Sequence, residues 1–321
     1  MVDLSIMIVN WNTKEYLVRC LRSVFESEKR SSWEVLVVDN GSLDGSASEV
    51  KRLFPNVKLI ENGRNLGFAR ATNQGIKESS GRYCLLLNPD TALRVGSIET
   101  LFSFMEHDPG AGIAGVQLLN EDGSRQNSIA NFPTLATELL NKSLLRRIFP
   151  ERFPGKEKAF SKPMEVESVI GACMMVRTKA VEEVGLLDED YFLFLEETDW
   201  CYRMKKAGWK VYHVPSAEVV HFQGKSAEAT LGKAKIEYYR SRYQFFKKHR
   251  GLVRTGLLAL GLIIKLGAEF LMMLIGCLFT GFKISKWRKR LTVYAGLLAW
   301  HLRFCPGDAG LKPVQKHGMM E

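Results

Sequence analysis

Five polar clusters carry the chemistry open to this chain. Asn10-Trp11-Asn12, Asp39-Asn40-Gly41-Ser42, Asn62 to Asn65 and Asn88-Pro89-Asp90 each follow a short apolar run. A fifth, Glu196, Glu197 and Asp199, follows the aromatic residues Tyr191, Phe192 and Phe194. Taken singly, the first four read as turns, because Asn, Asp, Gly and Pro are turn residues. Taken together they bring Asp39 and Asp90 from separate runs toward one place, and like charges held together call for a cation or a hydrogen-bonded ligand. The acids at 196–199 have two readings. They complement a helix dipole at roughly 0.3–1 kcal/mol each. Alternatively, the aromatic run draws one of them to the edge of the core, where a raised pKa makes a general base.

The elements that must position these groups are legible from hydropathy. LSIMIVN, WEVLVVDN, VKLIEN, RYCLLLN and AGIAGV read as strands. Between them lie helical patterns such as KEYLVRCLRSVFES, with apolar residues spaced by three and four. This alternation predicts an α/β fold with a mixed, mainly parallel sheet flanked by helices. Ligands of such sheets bind beyond the carboxyl ends of the strands, where the first four clusters lie. Thr13 and Ser97 read as helix caps. Residues 118–126 suggest a hairpin around Asp122-Gly123, and 131–165, with four prolines including Pro154, an irregular loop region bearing specificity. VIGACMMVRTKAVEEVG predicts a strand and a helix, and Glu196 opens a further helix to about Ala207. VYHVPSAEVVHFQGKS then predicts two short strands, each with a histidine. His221, just before Gln223-Gly224, is the better placed for an exposed role.

Composition excludes several classes. The first strand is followed by Asn10-Trp11-Asn12-Thr13 where a dinucleotide-binding domain needs G-x-G-x-x-G, and no G-x-x-x-x-G-K-[ST] loop occurs. Any phosphate here is therefore neutralised by a metal ion or by side chains. The six cysteines are scattered without a C-x-x-C pair, which speaks against zinc and disulfide frameworks and fits a reducing cytosol. The start has Asp3, no basic lead, and an apolar run too short for a signal peptide, so the catalytic part is expected in the cytosol. The net charge of +10 is uneven: residues 1–239 carry 30 Lys+Arg against 32 Asp+Glu, and 240–321 carry 15 against 3. That last quarter is also the most apolar, which points to a membrane surface and away from nucleic acid.

With these pieces assembled, residues 3–225 resemble the family-2 glycosyltransferases of GT-A fold, especially their rhamnosyltransferase-like branch. The resemblance rests on SIMIVNWN, VLVVDNGSLDGS, NLGFARATNQG, LLLNPD, GACMMVR, FLFLEETDWCYR and VVHFQGKS, in that order. It implies a nucleotide-diphospho-sugar donor whose base and ribose are held at Asn10 and Asp39, with Asn65 lining the donor site. Asp90 matches the metal- and diphosphate-facing aspartate of the family's D-x-D element, which reads Asn88-Pro89-Asp90 here. His221 matches a histidine that completes a Mg2+ or Mn2+ site in some relatives. Glu197 stands where the family has its aspartate general base, with Glu196 and Asp199 as alternatives. The implied reaction is inverting transfer of a sugar, rhamnose from dTDP-rhamnose by the branch resemblance, to a hydroxyl of a lipid-linked or growing cell-surface polysaccharide. A nucleotidyltransferase would need a basic, glycine-rich loop after the first strand. The remaining alternative is a non-catalytic, membrane-associated nucleotide-sugar-binding or scaffold protein.

Two domains are expected: a catalytic domain over 1–235, and a basic, apolar helical membrane-association region over 236–321. In the latter, IEYYRSRYQFFKKHR precedes an apolar stretch from Gly251 to Phe282, the basic KISKWRKR and a second apolar run. A single span would place the second basic cluster across the membrane from the enzyme, against the positive-inside rule. A re-entrant hairpin or interfacial helices at the cytoplasmic face keep both clusters on one side.

Overall fold

The longest apolar runs become the innermost strands. The computed structural model describes residues 2–27, 32–153, 160–222, 231–307 and 309–311; Pro154 and the Gln223-Gly224 step lie outside them. The chain runs β1 (Leu4–Asn10), α1 (Lys14–Glu26), β2 (Trp33–Asp39), α2 (Ser46–Leu53), β3 (Lys58–Glu61), α3 (Phe68–Lys77) and β4 (Tyr83–Leu87). It continues through β5 (Thr91–Leu93), α4 (Ser97–His107), β6 (Ala111–Leu119), β7 (Ile129–Ala130), α5 (Leu135–Leu139) and α6 (Lys142–Ile148). Next come β8 (Met164–Glu165), β9 (Ser168–Val169), β10 (Cys173–Arg177), α7 (Thr178–Val184), α8 (Glu196–Lys206) and β11 (Lys210–His221). The helices α9 (Leu231–His249), α10 (Leu252–Phe279) and α11 (Ser285–Leu302) complete it.

The main sheet has the order β3-β2-β1-β4-β10-β6-β11-β5, with β8 also on β11. Pairs among β3, β2, β1 and β4 are parallel, as is β6 with β11, while β10 and β5 run antiparallel to their neighbours. The expected mixed, mainly parallel sheet is therefore present. β1 and β4 are buried along their whole length because both faces are covered. Ile6, Ile8, Leu85 and Leu87 pack against Leu17, Leu21 and Val24 of α1. The alternate residues Met7 and Leu86 face the second core with Trp200 and Met204 of α8. Each such side chain contributes roughly 1.5–3 kcal/mol on burial.

Register brings the polar clusters together. Asn10 pairs with Asp39, Asp39 with Glu61, Ile8 with Leu87, and Leu87 with Cys173, so these strand ends share one edge. Thr91 pairs with His221, which places Asp90 beside that histidine.

Several expectations change. The two histidine strands are one strand, β11, with a register break between Val214 and Glu218. Pro215 lies in that break, and a proline has no N–H for the ladder. The region 131–165 includes α5, opened by a capping box at Thr134, and α6. Thr13 and Ser97 do not cap with their side chains. The Thr13 hydroxyl donates to Asn10 Oδ1 (2.6 Å), and that of Ser97, the first residue of α4, donates to the Glu218 carbonyl (2.6 Å). In both cases the hydroxyl is turned toward a strand residue, Asn10 of β1 or Glu218 of β11. The expected domain boundary at 235/236 falls inside α9. That helix packs on the catalytic body: Phe245 and Phe246 are fully buried, and Ser241 Oγ donates to the Leu193 carbonyl (2.9 Å). The apolar stretch forms α10, which folds back as α11 through a turn with positive φ at Gly281 and Phe282.

Candidate active site

The first two strand ends are fastened to each other. Asn10, fully buried, donates from Nδ2 to Asp39 Oδ2 (3.0 Å) and Ser42 Oγ (3.0 Å), and accepts from Thr13. Asp39 Oδ1 accepts from the Ser42 N–H (2.9 Å). The Asn10 side chain is thus engaged within the protein and orients Asp39; neither side chain is among the walls of the cleft described next. The adjacent Asn40 has a larger part than its place in the sequence suggests. Its Nδ2 donates to Asn65 Oδ1 (2.9 Å) and the Gly67 carbonyl (3.2 Å), and its Oδ1 accepts from Leu66 N–H (3.0 Å) and Asn62 Nδ2 (3.2 Å). This carboxamide ties the second and third strand ends into one rim.

That rim encloses a cleft of about 190 Å3, whose walls include Trp11, Asn40, Asn65, Asp90 and Phe192. Gly67, with φ of 90°, lets α3 start against the aromatic run: a Cβ there would stand 2.7 Å from the Phe192 ring and 2.8 Å from its carbonyl oxygen. The same carbonyl accepts from the Phe68 N–H (2.7 Å). The NLGFA and FLFLEE segments are therefore one packed unit, which no local pattern reveals.

Asp90 is 6% exposed and its Oδ1 lies 3.5 Å from His221 Nε2. The histidine tautomer follows from its partner Gln126. The His221 carbonyl can only accept, so it meets the Gln126 amide nitrogen (2.6 Å), and the Gln126 oxygen then faces His221 Nδ1 (3.1 Å). Nδ1 then carries a proton, and Nε2 is the ring atom that faces Asp90. A carboxylate oxygen beside an imidazole nitrogen suits a divalent cation, so these residues fit the metal implied by the resemblance. Among the described residues no group of three or more His, Cys, Asp or Glu gathers. The protein would thus supply two ligands and leave the rest to the donor's phosphates and water.

The three acids of α8 separate. The two residues before it, Phe194 and Leu195, have φ of 74° and 64°, a left-handed pair that costs roughly 1–3 kcal/mol per residue. Glu196 is buried, its Oε2 has no hydrogen-bond partner among the described residues, and burial, with the nearby Glu197, holds it protonated far above the usual carboxylate range. Glu197 is partly exposed, and burial raises its pKa to about 6 against hydrogen bonds from Thr198. Gly171 makes room for it: a Cβ there would stand 3.3 Å from Glu197 Cβ and Cγ. The next residue, Ala172, accepts from the Asn88 N–H (2.8 Å), which ties the Glu197 niche to the Asp90 loop. Asp199 is fully enclosed and salt-bridged to Arg203 (2.7 Å), Lys248 (2.9 Å) and His249 (2.7 Å). Burial alone would raise its pKa; the hydrogen bonds from His249, Lys248 and Arg203 outweigh this and hold it at about 2. Asp199 is a clamp between α8 and α9 and is withdrawn as a base. Glu197 alone of the three is both reachable and tuned near neutrality.

A family model, "Glycosyl transferase family 2", matches residues 5–185. The chain is 31% identical to the N-acetylglucosaminyl-diphospho-decaprenol L-rhamnosyltransferase of Mycobacterium tuberculosis over 271 residues, covering 79% of this chain and 87% of that protein. It is 27% identical to the dTDP-rhamnosyl transferase RfbF of Shigella flexneri, covering 74% of this chain and 77% of that one. In fold it is similar to the mannosyltransferase PcManGT of Pyrobaculum calidifontis, solved with GDP-Man and Mn2+, at a TM-score of 0.58 and 16% identity over 95% of this chain and 87% of that one. The sheet and the cleft at its strand ends agree with the GT-A fold. The chain belongs to glycosyl transferase family 2 and is a glycosyltransferase.

Proposed function

We propose that this enzyme transfers rhamnose from dTDP-rhamnose, with inversion, to a hydroxyl of a saccharide linked through diphosphate to a polyprenol, at the cytoplasmic face of the membrane. The observation that carries the reaction type is the pairing of a cleft lined by Asn65 and Asp90, with Asp39 buried behind its rim, and one partly exposed carboxylate, Glu197, whose pKa is raised to about 6. The relatives' names support the sugar and the acceptor class. Trp11 and Asn65 would line the nucleotide end of the donor, oriented by the Asn10–Asp39–Asn40 network. Asp90 and His221 would hold Mg2+ or Mn2+, which when bound offsets negative charge on the departing diphosphate. Glu197 accepts the proton of the acceptor hydroxyl while that oxygen bonds to the anomeric carbon and the bond from that carbon to the phosphate oxygen breaks. One displacement inverts the anomeric centre, and no protein nucleophile takes part. Family membership and a poised base favour this over the non-catalytic alternative.

Support for a membrane surface comes from α10. It is 28 residues long with a mean hydropathy of 2.1 in its most apolar window, of which 17% is buried. Leu260, Ile264, Leu271 and Met272 are exposed along it. The hairpin with α11 keeps Lys286, Arg288, Lys289 and Arg290 close to the turn, in keeping with interfacial or re-entrant attachment.

The test is a thermal shift of the purified protein with dTDP, UDP or GDP, each with Mg2+, Mn2+ or chelator, followed by transfer from dTDP-rhamnose. Saturation at a hundred times Kd stabilises by about 2.7 kcal/mol. A shift confined to dTDP and lost on chelation is expected. A shift confined to UDP or GDP refutes the donor, and a dTDP shift indifferent to chelator refutes the metal.

A further inference from the structure

Lys265 is the anomaly of the C-terminal region: an ammonium in the middle of an exposed apolar helix. Ionisable residues set in such surroundings mark binding sites more often than packing. Lys265 lies between two stripes of α10. Leu258, Leu262 and Leu266 are buried against the body of the protein, while Leu257, Leu260 and Ile264 are exposed. Its Nζ donates to a backbone carbonyl, that of Glu138 (3.3 Å), and among the described residues it forms no ion pair.

The ammonium faces a cavity of about 420 Å3 between α5, α9 and α10, whose charged walls are Glu138, Arg242, Lys265 and Glu269. Two of these neutralise each other: Arg242 Nε lies 2.7 Å from Glu138 Oε2 in an ion pair that is nearly enclosed. The guanidinium also stacks over the rings of Tyr238 (4.5 Å) and Tyr239 (5.0 Å). Glu269, one helical turn beyond Lys265 on α10, also lines the cavity but makes no ion pair with it. Among the described residues, Lys265 is thus the cation at this cavity without a carboxylate salt bridge.

A second cavity, of about 160 Å3, adjoins the first. Thr137 and Glu138 line both. Its other walls include Asn127, Asn131 and Tyr238, together with Leu195 and Thr198, which flank the base at the start of α8. Carboxamides, a hydroxyl, a carboxylate and an aromatic ring are the groups that hold a sugar. The two cavities thus lead from beside Glu197, past Glu138, to Lys265 and the apolar face of α10. That order matches a molecule with a sugar at one end, a phosphate in the middle and a hydrocarbon chain at the other. α5 is held tightly to α10 along this route: a Cβ on Gly261 would stand 2.6 Å from the Leu139 side chain.

We propose that the α5–α10 cavity receives the phosphate of a lipid-linked saccharide acceptor, with Lys265 as its counter-charge, and that the acceptor's sugar lies in the adjoining cavity beside Glu197. This rests on the transferase reading above. The chemistry recognised is a phosphate ester on a lipid, which the acceptor or a membrane phospholipid could supply; the order of the two cavities favours the acceptor.

The test uses the full chain in detergent with two probes: N-acetylglucosaminyl diphosphate bearing an alkyl chain, and the alkyl N-acetylglucosaminide without phosphate. The wild type should bind the first more tightly. Lys265→Gln should weaken binding of the diphosphate probe, and raise its KM, by about tenfold, the scale of one charge-assisted hydrogen bond. It should leave donor KM, kcat and binding of the phosphate-free probe within about twofold, and Lys265→Arg should restore most of the loss. Equal weakening of both probes, or no weakening of either, overturns the proposal. So does an unchanged probe affinity with reduced flotation on anionic phospholipid vesicles, which would assign Lys265 to bulk lipid. Absence of transfer by the wild type despite preferential probe binding would refute the transferase reading and leave the phosphate site standing.

Discussion

Replacing Glu197 by Gln should make the protein more stable and nearly inactive, and the two effects share one cause. The Glu197 pKa is raised from 4.5 to about 6 by burial. A group whose folded pKa is raised favours folding when protonated, so its contribution is complete below about 4.5 and is lost as pH climbs through about 6. At neutral pH the ionised side chain therefore costs at most about 2 kcal/mol, from 1.36 kcal/mol per pKa unit. The glutamine keeps the shape and removes the charge, so the variant should gain up to about that amount at pH 7.5 and nothing near pH 4. Activity moves the other way. A pKa of 6 leaves about a tenth of the base ionised at pH 5, against about three-quarters for an ordinary glutamate, so wild-type kcat/KM should fall about tenfold between pH 7.5 and pH 5. Losing the base should cost about 10²–10⁴ in kcat with little change in donor affinity. Denaturant melts at the two pH values and initial rates of sugar transfer measure both arms. A stable, inactive variant supports the assignment. Glu197→Gln that is destabilised at pH 7.5, or a wild-type rate flat down to pH 5, refutes the reasoning.

Other outcomes follow from neighbouring residues. Glu196→Gln should leave the rate and its pH profile within about twofold, because the native side chain is already protonated; a loss matching that of Glu197→Gln, measured in the same assay, would reassign the base. Asp199→Asn should destabilise by about 3 kcal/mol by leaving Arg203, Lys248 and His249 without their carboxylate. Asp199 is lowered from 3.8 to about 2, so its contribution is present above about pH 4 and fades toward pH 2, and the variant should lose that acid limb in urea melts. Gln126→Leu should weaken Mn2+-dependent nucleotide binding by about ten- to a hundredfold and leave binding in chelator unchanged, read by thermal shift. Gly67→Ala should cost about 1–3 kcal/mol and loosen the donor cleft, since its φ of 90° and the contact with Phe192 both reject a Cβ; an unchanged melt would contradict the close approach.

The sequence by itself determined the sheet and the edge at which chemistry occurs. Apolar periods of two and of three to four are local properties, and parallel β-α units put their ligands at the strand ends, so the strand-end clusters that hold Asp39, Asn65 and Asp90 could be located from order alone. It also marked the 196–199 acids as special, because three carboxylates behind an aromatic run sit at odds with a simple surface helix. Only the tertiary structure decided among them. Successive residues of one helical turn face different surroundings, and what each meets is set by partners far along the chain. Lys248 and His249, about fifty residues on, neutralise Asp199. Core packing encloses Glu196, and Gly171 opens a niche for Glu197. The same holds for Gln126, which fixes the His221 ring from 95 residues away, and for Asn10, whose hydrogen bonds brace Asp39. Hydrogen-bond partners and burial depend on three-dimensional neighbours, and no spacing along the chain encodes them.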